Sequence, residues 1–281
     1  ALLGFLCQAS GIATQSARFK SKAKEKTLIS FGARRMHPSI SPMIERNAYI
    51  GGCDGVATVK SACLLGETPM GTMPHSLILC FNSTVLALSA FDDVIEKEVP
   101  RITLIDTFQD EKFEALYVAE FLKEKLYGVR LDTPPSRRGN FKKIIEEVRW
   151  ELNLRGYKDI KIFVSGGLKE EDVEELYPLV DGFGVGTSIS NAPVIDFSLD
   201  IVEIEGNPFS KKGKLSGKKD LLFCKNCSKR EIIPFKESEN FCPCGRKRER
   251  VLKKILSKGE VLEKLPSPKE IRNRVLKNIL K

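Results

Sequence analysis

The sequence predicts an α/β protein: a parallel α/β barrel with a small, zinc-ribbon-like subdomain at its carboxyl end. Three observations predict it. Apolar strand-like runs alternate with helical patterns roughly six or seven times, the pattern of a parallel sheet with helices outside. None of these strands runs into a Gly-x-Gly-x-x-Gly fingerprint, so a closed or nearly closed barrel fits better than a dinucleotide-binding sheet. Cys224, Cys227, Cys242 and Cys244 cluster late in a chain without an export signal, which reads as a metal site before it reads as disulfides.

The elements follow in order. Residues 1–24 read as one helix, with Leu2, Leu3, Leu6, Ala9, Ala13 and Ala17 near helical spacing. Residues 27–34 read as a strand and 42–49 as a helix. A short strand at 56–59 precedes a helical turn at 61–65. The apolar run 77–90 reads as one buried helix. A strand at 101–108 leads to a helix at 111–125, and a strand at 127–133 follows. Pro134 and Pro135 end that strand, since proline has no N–H for the ladder. Residues 141–155 read as a helix with Gly156 as its C-cap. A strand at 160–164, a helix at 169–176 and a strand at 183–185 complete the barrel. Beyond Asn191, residues 197–204 alternate like a strand and 211–219 form a basic linker. Two charged helices, 248–258 and 268–280, close the chain. The expected organisation is a catalytic barrel at 1–195, a strand and linker at 196–217 returning to a second small domain, and a cysteine subdomain with terminal helices at 218–281.

The active end of such a barrel is the carboxyl end of its strands. Arg130 and Asp132 share one side of the 127–133 strand, because side chains alternate. Arg137 and Arg138 follow in a basic loop. An acid among arginines there suits an anionic sugar phosphate; a surface ion pair on an ordinary turn is the plain alternative. Ser165-Gly166-Gly167 and Gly184-Val-Gly186-Thr187 follow the last two barrel strands. Glycines there let backbone N–H groups approach a phosphate. The chain has two histidines, His37 and His75, and both fall at expected strand ends. Arg34 and Arg35 offer planar forks for carboxylate or phosphate. Asp106 and Asp54 add two further acids near strand ends.

The totals bound the partners. The 281 residues carry a net charge of +9, which fits nucleic acid or a polyanionic small substrate. Hydrophobic content of 42% supports a sizeable core. No run approaches ~18 apolar residues, so no membrane span is expected. The first residues do not resemble a signal peptide, so a cytoplasmic location is expected. The chain opens without Met and within a helical pattern, which suggests a preceding segment. At the cysteine cluster, Cys224-x-x-Cys227 and Cys242-x-Cys244 supply four thiolates from two tight turns, a complete tetrahedral shell for structural zinc.

Six motifs occur in the order seen in nicotinate phosphoribosyltransferases: Gly32-Ala-Arg-Arg-Met-His-Pro38, Gly51-Gly-Cys-Asp-Gly55, Gly71-Thr-Met-Pro-His-Ser76, Arg130-Leu-Asp132, Ser165-Gly-Gly167 and Gly184-Val-Gly-Thr187. Ser10-Gly-Ile-Ala-Thr14 also resembles the related quinolinate enzymes, and the cysteine cluster resembles the archaeal-type nicotinate enzymes. The resemblance implies an incomplete barrel, a preceding domain, and a homodimer in which that domain covers a neighbour's site. It implies joining nicotinate to phosphoribosyl pyrophosphate, giving nicotinate mononucleotide and pyrophosphate, with Mg²⁺ on the pyrophosphate and coupling to ATP in some members.

By the same resemblance, Asp132 holds the ribose hydroxyls with Asp106 nearby, and Arg130, Arg137 and Arg138 neutralise pyrophosphate. The two glycine loops hold the 5′-phosphate, and Arg34 and Arg35 meet the carboxylate. His75 matches a phosphorylated histidine, and Asp54 matches a position that reads an amide in amide-using relatives. Two other readings stand beside this one. A quinolinate transferase needs extra cations for a second carboxylate and usually lacks the zinc cluster. A zinc-ribbon nucleic-acid binder lacks interleaved surface aromatics and leaves the strand-end residues unexplained, so nucleic acid is not the expected partner.

Overall fold

A computed structural model describes residues 1–235 and 241–280. Residues 236–240, inside the expected cysteine subdomain, and residue 281 lie outside the described residues. The chain divides into two units, 1–195 with the terminal stretch from 267, and 196–266.

The first unit opens with α1 (Leu2–Ala23), β1 (Thr27–Ser30), α2 (Ser41–Gly51), β2 (Gly55–Val56) and α3 (Val59–Leu65). It continues through α4 (His75–Phe81), α5 (Thr84–Val94), β3 (Arg101–Leu104), α6 (Glu111–Leu122) and β4 (Leu126–Leu131). Then come α7 (Pro135–Arg138), α8 (Phe141–Leu154), β5 (Lys161–Val164), α9 (Glu170–Leu176), β6 (Gly182–Val185) and α10 (Thr187–Ser190). Its last element is α11 (Pro268–Ile279). The six strands form one parallel sheet in the order β2-β1-β6-β5-β4-β3. The edges β2 and β3 do not pair with each other, so the barrel is incomplete.

Helix patterning explains the outer layer. Phe141, Ile145, Val148 and Leu152 of α8 are buried at i, i+4, i+7 and i+11, one apolar stripe facing the sheet. Asn140 caps that helix by accepting the Lys143 N–H at 3.1 Å. On β4, Val129 and Leu131 join the core, which leaves Arg130 to project from the opposite face.

Several expectations change. The run 77–90 is two helices: Asn82 turns left-handed at φ 50° and Ser83 caps α5, so the axes bend by 110°. Among the described residues no single helix is long and apolar enough to cross a membrane. The strand at 27–34 stops at Ser30, and Ala33–Arg35 form a 3₁₀ turn. The strand at 56–59 is Gly55–Val56 alone, because Thr58 instead begins the turn into α3. The strand at 197–204 pairs only over Glu203–Ile204. The helix at 248–258 does not form. Arg248 and Arg250 bond to Glu231 and Asp220, which holds that stretch extended, and Lys258 and Gly259 make a left-handed turn.

The 196–266 unit contains β7 (Glu203–Ile204) and β8 (Asn207–Pro208), a hairpin, then β9 (Lys219–Phe223), β10 (Arg230–Pro234) and β11 (Glu249–Arg250) in a three-stranded antiparallel sheet. The hairpin of β12 (Leu256–Ser257) and β13 (Glu260–Val261) follows. The final helix α11, expected beside the cysteines, belongs to the barrel unit instead. Its Arg272 donates to the Cys53 carbonyl at 3.0 Å and to Asp54 at 2.5 Å.

Candidate active site

A cavity of about 970 Å³ opens where the strands end. Its wall includes the 3₁₀ turn after β1, the start of α3, the approach to α4, and the loops after β4, β5 and β6. Arg34, Arg35, Lys60 and Arg130 face it, against one carboxylate in the wall, Asp132. Such a lining favours an anion.

Arg130 is the most constrained cation. Its guanidinium reaches the Ser165 hydroxyl and the Met73 carbonyl, both at 3.4 Å, and stacks 5.8 Å from the Phe31 ring. Its Nε is buried without a partner. Burial pulls its pKa below the usual guanidinium value, opposed by Asp132 and Asp106. A buried, under-bonded cation is costly unless something anionic arrives.

Beside it lies a relay of acids and a histidine. Asp106 is almost fully buried and accepts the His75 Nε2 contact at 3.0 Å on one oxygen. Its other oxygen accepts the Asp132 N–H at 2.8 Å. Asp132 accepts the Ser165 hydroxyl on Oδ1 at 2.7 Å, and its Oδ2 stands 3.9 Å from His75 Nδ1. Asp106 therefore holds both His75 and the Asp132 backbone from beneath the cavity.

The glycine loops are shaped as their residues require. Gly166 and Gly167 sit at φ 89° and 66°, where a side chain would be strained. At Gly184 a Cβ would lie 2.3 Å from the Phe31 ring. Ser165, Gly166, Gly167, Gly184, Gly186 and Thr187 all border the cavity.

Four expected site residues lie elsewhere. Asp54 precedes β2 rather than following it, so it sits at the amino end of the sheet. There it pairs with Lys20 at 2.7 Å and Arg272, and accepts the Leu28 N–H at 2.8 Å. His37 is exposed outside the cavity wall, its Nδ1 accepting the Ser39 N–H at 3.2 Å. Arg137 is exposed and likewise not part of the wall. Arg138 donates to the carbonyls of Thr133, at 2.8 Å, Ser165, at 3.1 Å, and Gly166; it braces the glycine loop instead of lining the cavity.

Other residues in the wall carry no signal of their own in the sequence. Phe31, Thr58 and Lys60 are examples. Lys60 looks like a surface lysine on a short helix. Its place after β2, at a strand's carboxyl end, was the available clue. Glu45, fully buried on α2, fixes that loop by accepting the N–H groups of Ala57 at 2.7 Å and Thr58 at 3.1 Å.

In the other unit, the Sγ atoms of Cys224, Cys227, Cys242 and Cys244 all lie within 4.8 Å of one another. Backbone N–H groups lower the Cys244 thiol to about 6, chiefly that of Arg246, and lower Cys224 as well, chiefly that of Cys227.

The family described as "Quinolinate phosphoribosyl transferase, C-terminal domain" matches residues 12–200, most of the barrel unit. The chain belongs to that family. Among solved members and neighbours of this transferase family, it is 54% identical to a nicotinate-nucleotide pyrophosphorylase from Pyrococcus furiosus. That match covers all of this chain and 72% of the other, with a TM-score of 0.93. It is 30% identical over 227 residues to a nicotinate phosphoribosyltransferase of Mycobacterium tuberculosis, spanning 76% of this chain and 49% of that protein. The human nicotinic acid phosphoribosyltransferase shares the fold at TM-score 0.69 and 20% identity over 99% of this chain and 69% of that one. The chain spans about half the length of its M. tuberculosis relatives, 44% and 49%.

Proposed function

We propose that this chain carries the catalytic barrel of a transferase that makes nicotinate mononucleotide from phosphoribosyl pyrophosphate and a pyridine carboxylate. The ring nitrogen forms the new bond to the ribose anomeric carbon, and pyrophosphate leaves with the electron pair of the breaking C–O bond. The observation that carries this reading is the buried Arg130 guanidinium with its unpartnered Nε, set beside Asp132 in a cavity whose charged side chains are mainly cationic. Arg130 stabilises the departing pyrophosphate, Asp132 the cationic sugar, and the glycine loops the 5′-phosphate. The Asp132 Oδ2, with no nearer partner than His75 at 3.9 Å, suits hydrated Mg²⁺, which would neutralise the leaving group.

Two acceptors remain within this reading. Quinolinate is supported by the family match, by the likeness to the 54% identical P. furiosus nicotinate-nucleotide pyrophosphorylase, and by Arg34, Arg35 and Lys60, enough cations for two carboxylates. Nicotinate is supported by the M. tuberculosis relatives and by the Gly71-to-Ser76 motif around His75. Parallel assays with nicotinate, nicotinamide and quinolinate test both. Quinolinate turnover should release one CO₂ per nucleotide formed, nicotinate none. No nucleotide from any of the three would sink the proposal.

We further propose that His75 takes part in ATP coupling. His75→Asn is then expected to abolish ATP stimulation and leave a slow ATP-independent reaction, because the ribose chemistry rests on Asp132 and Arg130. Full ATP stimulation in the variant would rule that role out. The cysteine quartet is proposed to bind one zinc ion, and four thiolates leave no open position for catalysis.

A further inference from the structure

We propose that Glu114, which does not line the cavity, is a positioning residue that sets the hydrogen bond between Asp106 and His75. The inference rests on the phosphoribosyl-transfer reading of the same site. Glu114 lies in the first turn of α6 and is only 4% exposed. A carboxylate buried that deeply must have its oxygens satisfied. Its Oε1 accepts the Thr84 hydroxyl. Its Oε2 accepts the N–H groups of Gln109 at 3.2 Å and Phe108 at 3.4 Å.

These donors belong to the two supports of the Asp106–His75 pair. Phe108 and Gln109 lie in the loop just after Asp106. Thr84 begins α5, and the left-handed bend at Asn82 joins α5 to α4, whose first residue is His75. One carboxylate thus grips the loop that presents Asp106 and the helix pair that presents His75. The grip matters because Asp106 has no slack. One of its oxygens meets His75 at 3.0 Å and the other takes the Asp132 N–H at 2.8 Å. A shift of the loop would disturb both catalytic contacts together. If Glu114 merely steadied the amino end of α6, its loss would lower stability and leave His75 unaffected.

Glu114→Gln keeps the volume but places an amide NH₂ against one of its donors. Thr84→Val removes only the hydroxyl on the α5 side, and Thr84→Ser retains it. Each protein would be compared by thermal melting, steady-state kinetics and imidazole ¹⁵N NMR. The chain has two histidines, so His37, exposed and bonded to the Ser39 N–H rather than to Asp106 or Asp132, serves as the internal reference. Glu114→Gln and Thr84→Val are expected to lower kcat roughly tenfold to a hundredfold, as small misplacements of catalytic groups do. KM for phosphoribosyl pyrophosphate should change by less than about twofold, since the binding groups are untouched. His75 resonances should move, His37 resonances should not, and Thr84→Ser should behave as wild type. Unmoved His75 resonances in folded Glu114→Gln overturn the proposal; if that variant does not fold, Thr84→Val decides by the same criterion. Should the wild-type chain form no nucleotide, the functional reading fails, and the resonances still decide the role of Glu114.

Discussion

Asp132→Ala is expected to lower turnover about a hundred- to a thousandfold, the roughly 2.7–4 kcal/mol attached to losing one transition-state charge contact. In the proposed reaction the ribose carbon becomes cationic as pyrophosphate leaves. Asp132 is the one carboxylate in the cavity wall, so its loss falls on that step. The fold should tolerate the change. The side chain is partly exposed, and its close hydrogen-bond partner is the Ser165 hydroxyl at 2.7 Å, a bond to a charged group worth about 1.5–3 kcal/mol. The Asp132 N–H still bonds to Asp106, so the strand end stays in place. Arg130 loses a neighbouring negative charge, but Asp106 remains beside it. Nucleotide formation would be measured together with circular dichroism and thermal melting. Wild-type turnover in a folded variant would remove Asp132 from the chemistry.

The barrel was legible because its signals are local. Alternation along β4 separates Val129 and Leu131 from Arg130 and Asp132. The doublet Gly166-Gly167 announces a left-handed turn that other residues avoid. Asp54 misled because its family motif grouped it with the strand-end acids, although it precedes the strand read at 56–59. The strand is only Gly55–Val56, so the acid lies on its entry side. What the sequence could not show is that Lys20 and Arg272, distant in the chain, close on the carboxylate there. The 248–258 stretch has helical spacing, yet ion pairs from Arg248 and Arg250 favour extended backbone. Partners distant in sequence decided against local propensity there. Glu114 was invisible for a similar reason: a glutamate in the first turn of a helix is ordinary, and its burial is a tertiary fact.

Removing the proposed zinc should unfold the sheet of β9, β10 and β11 while the barrel keeps its melting temperature. The argument is one of scale. Apart from the cysteines, the buried hydrophobic residues among those described in the 196–266 unit are Leu222 and Ile233. Burying each contributes about 1.5–3 kcal/mol, well short of the backbone entropy of ordering such a sheet. Apparent binding of a structural zinc at a four-ligand site is worth about 10–16 kcal/mol, so the metal outweighs the apolar core. The geometry suits that role, because one cysteine pair follows β9 directly and the other precedes β11, and Phe223 pairs with both Arg230 and Glu249, so the ion would tie the three strands together at one end of the sheet. Cys224→Ser with Cys242→Ser should reproduce the effect of chelation, since each pair then loses its buried thiolate. The checks are metal analysis of the purified protein and hydrogen exchange of peptides covering residues 219–234, with and without a chelator. Fast exchange confined to those peptides is the expected result. Purified protein without zinc, or zinc loss with protection unchanged, would refute the structural role of the cluster.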